Sequence, residues 1–193
     1  MEVEILKEVG YEEALRGMSY SYLDEAEDRE TWWKGQQDKA VKRAAILASK
    51  TPEHAKFLRF IELWVDIRAT RAFWVEADTY KIGFDQLSAS TMHKLGKRRP
   101  EVDDFSGDTP LLIIDAFKLI WDQYKEGYIS LVELKDALPE GYLQTRMVKL
   151  NYATLRNICS QRKGHRYAPW ATFIDEMFHQ VEHPEFIEDC CFG

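Results

Sequence analysis

The stretch "AKFLRFIELWVDIR", residues 55–68, constrains the fold more than any other. Phe57, Arg59, Ile61, Leu63 and Val65 fall on odd positions, the period-two pattern of a β-strand. Leu58 and Phe60 make the segment apolar on both faces for part of its length, which suits a strand inside a sheet. Such a strand needs partners, and "VEILKEV" at residues 3–9 alternates well enough to be one.

Much of the rest follows helical spacing. "GYEEALRGMSYSYL" reads as a turn and a helix, and "DEAEDRETWWKGQQDKAVKRAAILASK" begins acidic and turns basic, as the helix dipole favours. Pro52 ends it. "ATRAFWVEADTY" reads as helix, "KIGFDQLSASTMHKL" as extended, and "GKRRPEVDDFSGDTP" as a surface loop by its Gly, Pro and charge. The remainder reads as mostly helical, over residues 110–127, 130–138, 150–165 and 169–183. Strand and helix are mixed, and 193 residues suit one domain, so the reading is a single α+β domain over residues 1–193.

Composition enters through what it excludes. A formal charge of −7 opposes nonspecific DNA or RNA binding, which needs a clustered basic footprint, but leaves room for a small anion held by local cations. No run reaches the roughly 20 apolar residues of a membrane span. The acidic start "MEVEILKEVGYEE" is unlike a signal peptide, so a cytoplasmic protein is expected. Three Cys form neither a disulfide framework nor a CxxC site. Five His show no HExxH or other ligand spacing, so no metal site is expected. No GxSxG, GxxxxGK[ST] or GxGxxG occurs, and Cys159, between Ile158 and Ser160 in a helix, suits a buried structural thiol better than a nucleophile.

Two places carry unexplained polarity. In "LNYATLRNICSQRKGH", Asn151 and Arg162 are eleven positions apart, about three helical turns, so they share the face that also carries Leu155 and Ile158. An Arg turned towards protein needs an anionic or electron-rich partner, either a structural contact or a ligand. In "DQLSAS", Ser88 and Ser90 point the same way in an extended segment and suit either a phosphate or a polar strand edge.

Taken in order from about residue 49 to residue 175, these stretches resemble the flavin-dependent thymidylate synthases, which use FAD to methylate dUMP. "SKTPEHAKFLRFIELWVDI" is similar to the family's "SPxEHxxFxFxI", with His54 in the place of a flavin-side histidine. "LSAST" is similar to the serine stretch that follows the family's RHR signature. "LPEGYLQTRMVKLNYATLRNICSQR" keeps the family's spacing without a gap: Asn151 twelve residues after Pro139, a "TL" at Thr154 and Leu155, and Arg162 eleven beyond the Asn. Lys135 takes the place of a phosphate-binding Arg four before the Pro, and Asn157 that of a further Asn near the flavin.

The departures are as specific. The RHR signature falls at Thr79, Tyr80 and Lys81, leaving one cation; the Ser-x-Arg phosphate contact becomes Ser90-Thr91-Met92; and an Arg two after the Asn becomes Ala153. "DTYKIG" and "STMH" are similar to a phage-type group in this region. The resemblance implies a mostly antiparallel sheet with flanking helices and a helix-rich C-terminal half. It also implies a homotetramer with sites between subunits.

For the chemistry it implies a pyrimidine deoxynucleotide such as dUMP, FAD, and, for the full reaction, methylenetetrahydrofolate and NADPH. Arg162 would polarise the base as the catalytic cation, and Ser88, Ser90 and Lys135 would hold the phosphate. His54, Tyr80, Lys81, Asn151 and Asn157 would border the flavin. The alternative is a nucleotide-binding or nucleotide-sequestering protein of the same fold without redox chemistry.

Overall fold

The computed structural model describes residues 1–192, leaving aside the side chains of Met92 and His93. Its four strands are β1 (Glu2–Val9), β2 (Glu62–Thr70), β3 (Phe84–Ser88) and β4 (Leu143–Asn151). They form one sheet in the order β1-β2-β4-β3. The register follows from bonds at the strand ends. Arg71 N–H donates to the Tyr142 carbonyl and Tyr152 N–H to the Ile61 carbonyl, so β2 and β4 run antiparallel. The fold is α+β, with a central antiparallel sheet and a helix-rich C-terminal half.

Among the described residues the helices are α1 (Tyr11–Met18), α2 (Arg29–Ala48), α3 (Arg71–Ala77), α4 (Thr91–Lys94), α5 (Leu111–Lys125), α6 (Leu131–Asp136), α7 (Tyr152–Arg162), α8 (Pro169–Gln180) and α9 (Glu188–Phe192). None is long and apolar enough to cross a membrane.

Three local expectations differ from the structure. The most consequential is β4, where the sequence reading assigns no strand. Of its nine residues only Val148 and Leu150 are buried, too short an alternation to stand out beside Thr145, Arg146 and Lys149. It also takes Leu150 and Asn151 from the expected helix, which starts at Tyr152. The odd-position pattern begins later than expected: Phe57 and Leu58 are both buried because residues 56–59 form a 3-10 turn. Strict alternation then holds through Leu63, Val65, Ile67 and Ala69, each at most 1% exposed. Finally, the extended segment stops at Ser88, and Thr91–Lys94 is a short helix.

The chain divides into two compact units. The first comprises residues 1–2, 66–80 and 86–147. Its core joins Leu95, Phe105, Ile114, Phe117, Trp121, Leu134 and Leu138, with the Trp121 indole N–H donated to the Leu95 carbonyl at 2.8 Å. A capping box of Ser130 and Glu133 starts α6. On β4, the Arg146 guanidinium stacks 4.4 Å from the Trp74 ring and donates to Asp78 and Gln86, both at 2.8 Å.

The second unit comprises residues 3–65, 81–85 and 148–193. Asp28 caps α2 by accepting from Thr31 N–H at 3.0 Å. Ala40, Ala44 and Ala48, four apart, are all buried on one stripe of α2. Gly10 turns the chain from β1 into α1 at a φ of +90°, where a Cβ would lie 2.2 Å from the Phe60 carbonyl oxygen.

Candidate functional site

In the second unit Asn151, Asn157 and Arg162 are strung along α7, at its cap, its middle and its end. Asn151 ends β4 and caps the helix, its side-chain oxygen accepting from Thr154 N–H at 2.9 Å. The Thr154 hydroxyl donates to the Ile82 carbonyl at 3.4 Å. Gly83 follows at a φ of +68°, and a Cβ there would lie 2.5 Å from Thr154 Oγ1 and 3.1 Å from Asn151 Nδ2. The segment beginning at Lys81 therefore docks on the N-terminus of α7 because glycine permits the approach. Lys81 itself is exposed.

Asn157, also exposed, accepts from the Gln161 amide at 3.1 Å. With Lys50, Pro52, Leu58, Arg59 and Arg156 it lines a cavity of about 370 Å³. His54 faces a different cavity of about 540 Å³, whose walls include Tyr20, Phe57 and Phe60 together with Glu13 and Glu53. Phe60 is 68% and Tyr20 51% exposed, so two aromatic faces are open to a ligand.

Arg162 lies at the far end of α7, about 16 Å from Asn151 by helical rise. Its guanidinium stacks 4.6 Å from the Trp170 ring, and Nη1 is 3.0 Å from His165 Nε2. The partner sought for this Arg thus includes an electron-rich ring. Leu155, Ile158 and Cys159 are fully buried beneath the helix. A hydrogen bond with Cys191, together with burial, pushes the Cys159 thiol pKa up, which keeps it protonated and unreactive.

In the first unit, Ser90 lines a cavity of about 340 Å³ with Arg68, Thr91, Lys94, Lys97, Arg98, Tyr142 and Gln144. Two of these cations are already tied down. Arg68 donates to Glu2 at 2.9 Å and to the Asp103 carbonyl at 2.6 Å, and Arg98 pairs with Asp104. Lys94 and Lys97 are exposed, with no ion pair among the described residues. Burial pushes the Tyr142 phenol up, so it stays a neutral hydroxyl at the cavity wall. Cations of this density beside serine and threonine hydroxyls suit an anion such as a phosphate.

Ser88, exposed at the end of β3, does not line this cavity, and neither does Lys135, exposed on α6. Thr79, at the first position of the degenerate signature, donates its hydroxyl to the Glu76 carbonyl at 2.7 Å, closing α3. Tyr80 is half-buried. Sequence reasoning missed Arg68, Lys94, Lys97, Arg98 and Gln144. The signal was the basic run "KLGKRRP" two residues beyond "LSAST", which reads as a solvated loop until the chain folds back on it.

Fold and pockets together define an α+β protein with cation-lined cavities at Ser90 and at Asn157, the latter beside α7, and an aromatic-walled cavity at His54. No family model and no curated protein matches the sequence. The fold is nevertheless that of thymidylate synthase X (ThyX) from Helicobacter pylori, solved with FAD and dUMP. That structure matches at a TM-score of 0.79 and 16% identity over 100% of both chains. A second structure of the same bacterium's flavin-dependent enzyme, complexed with FAD and dUMP, matches at a TM-score of 0.75 and 16% identity, covering 98% of this chain and 99% of that one.

Proposed function

We propose that the protein binds FAD and a pyrimidine deoxynucleotide of the dUMP type, working as one domain over residues 1–193 within a homotetramer. The observation that carries this reading is the full-length fold shared with an enzyme solved with both ligands. The phosphate is assigned to the cation-lined cavity at Ser90, with Ser88 and Lys135 as further candidates. The flavin is assigned to the α7 side of the second unit, with Asn151, Asn157, His54 and Lys81; Tyr80, the other expected flavin neighbour, belongs to the first unit.

The residues present fit such a cofactor. The cavity at Asn157 carries Lys50 and Arg59, neither in an ion pair among the described residues, which suit a pyrophosphate. The neighbouring cavity offers exposed aromatic faces for a planar ring. When bound and reduced, a flavin supplies hydride chemistry. Arg162 is assigned the task of polarising the base, in a setting where one preorganised cation is worth ~3–4 kcal/mol by analogy with an oxyanion-hole donor. Methylenetetrahydrofolate and NADPH belong to this proposal as the one-carbon donor and the reductant. With sites assembled between subunits, the residues around one ligand need not come from one copy.

A second reading is favoured by the degenerate signature, where Lys81 is the one remaining cation and the Thr79 hydroxyl is spent on α3. In it the fold holds a nucleotide without a flavin. Titration of the purified protein with FAD, followed by flavin absorbance, and with dUMP, followed by calorimetry, separates the two. Binding of both ligands is expected. Binding of dUMP alone selects the second reading, and binding of neither overturns both. Light scattering tests the tetramer, and a strict monomer refutes that part.

A further inference from the structure

A cluster of metal-ligating side chains lies outside every residue used above. Glu8, near the end of β1, meets Glu182 and His183, which follow α8, and all three belong to the second unit. One ligand atom from each lies within 4.8 Å of the others. We propose that Glu8, Glu182 and His183 bind a divalent transition cation such as Zn²⁺, which staples β1 to the segment after α8.

The charge balance favours a cation there. Glu185 is 3.4 Å from His183 Nδ1, so three carboxylates surround one imidazole. Among the described residues neither Glu8 nor Glu182 has an ion pair with Lys or Arg. The donor set also selects the ion. Two carboxylate oxygens and an imidazole nitrogen suit Zn²⁺, Co²⁺ or Mn²⁺, whereas Mg²⁺ and Ca²⁺ take oxygen ligands.

The ligands are held by neighbours outside the set. Tyr152, fully buried, donates its hydroxyl proton to Glu8 at 2.7 Å, and Glu182 N–H donates to the other Glu8 oxygen at 2.9 Å. A carboxylate has about four acceptor positions, so lone pairs remain for a metal. The His183 ring stacks on Tyr11 with centroids 3.6 Å apart and planes 11° from parallel. Glu185, beside Nδ1, suits the carboxylate partner that orients a metal-ligating histidine. Bonds of about 2.0–2.2 Å bring neighbouring ligand atoms to roughly 3–3.5 Å. The closure required is at most about 1–2 Å, and the exposed Glu182 side chain has rotamer freedom to supply it.

The test uses the full chain stripped with a chelator and titrated with Zn²⁺ by calorimetry, with Co²⁺ by visible spectroscopy, and with Mg²⁺ for comparison. One Zn²⁺ per chain, a raised melting temperature, and a Co²⁺ spectrum without thiolate charge transfer are expected. Glu182→Ala and His183→Gln should weaken binding at least about tenfold, on the scale at which even outer partners of metal ligands matter. Glu182 is exposed, so its variant keeps the test informative if the His183 variant folds poorly. Absence of Zn²⁺ binding at micromolar protein, equal binding by wild type and variants, or a thiolate signature from the Cys residues would each overturn the proposal. None of these readouts depends on flavin or nucleotide.

Discussion

Replacing Gly83 by Ala puts the docking of residues 81–85 on α7 under direct strain. The new Cβ would sit 2.5 Å from Thr154 Oγ1, well inside van der Waals contact, and the backbone at φ +68° would have to hold an L side chain in the left-handed region. The conformation alone costs about 1–2 kcal/mol. Relieving the contact turns the Thr154 hydroxyl away from the Ile82 carbonyl, a further ~0.5–1.5 kcal/mol. The expected loss is therefore about 2–3 kcal/mol. Urea unfolding followed by Trp fluorescence reads it as a midpoint lowered by on the order of 1 M at unchanged m. Thr154→Ala in the same background removes the atom being struck, so the double variant should recover about 1 kcal/mol of coupling. A loss below ~0.5 kcal/mol in the single variant, or strict additivity in the double, refutes the reasoning.

Other perturbations test separate contacts. Gly35 is exposed within α2, and a Cβ added there would meet nothing within 4 Å. Gly35→Ala should therefore be more stable by about 0.5–1 kcal/mol, read from the same urea midpoint. Burial, then the Glu8 hydrogen bond, raises the Tyr152 pKa, so the wild type should hold its stability below about pH 10 and lose it above, by ~1.4 kcal/mol per pH unit, as only the unfolded chain ionises. Tyr152→Phe should start less stable and lose that alkaline slope in a pH series of melts. The bond from Arg156 lowers the Asp189 pKa, so this pair's stability is present above about pH 4 and is lost as pH falls through the depressed value. Arg156→Ala should cost about 1–2 kcal/mol at neutral pH, with Asp189 half exposed and partly screened, and flatten the acid limb of the same series. Arg162→Ala should lower stability by about 1 kcal/mol through the lost Trp170 stack. It should weaken dUMP by ~1.5–3 kcal/mol if the proposed contact with the base is made, and unchanged affinity in calorimetry refutes that role.

Local chemistry was legible where one residue type has one physical use. The alternation around Leu63 and Val65, the break at Pro52 and the helices flanking them follow from period and breakers alone. The shared face of Leu155 and Ile158 on α7 is likewise a consequence of helical spacing, and both are fully buried. β4 was not legible because its burial comes from the strands on either side of it. Lys149, for example, pairs with Glu62 and Asp85, residues 87 and 64 positions away by subtraction. No window of neighbouring residues contains that information.

The sequence by itself therefore determined the α+β class, most helices, the buried face of α7 and the candidate polar residues along it. Tertiary structure alone decided their company. It set Arg162 on Trp170, made Asn151 a cap against Gly83, gathered Arg68 with Lys94 and Lys97 around Ser90, and brought Glu8 to His183 across 175 positions of chain. The physical reason is range. Backbone periodicity and capping act within a turn or two, whereas the charge, burial and geometry that give a side chain its chemistry are set by whatever the folded chain places beside it.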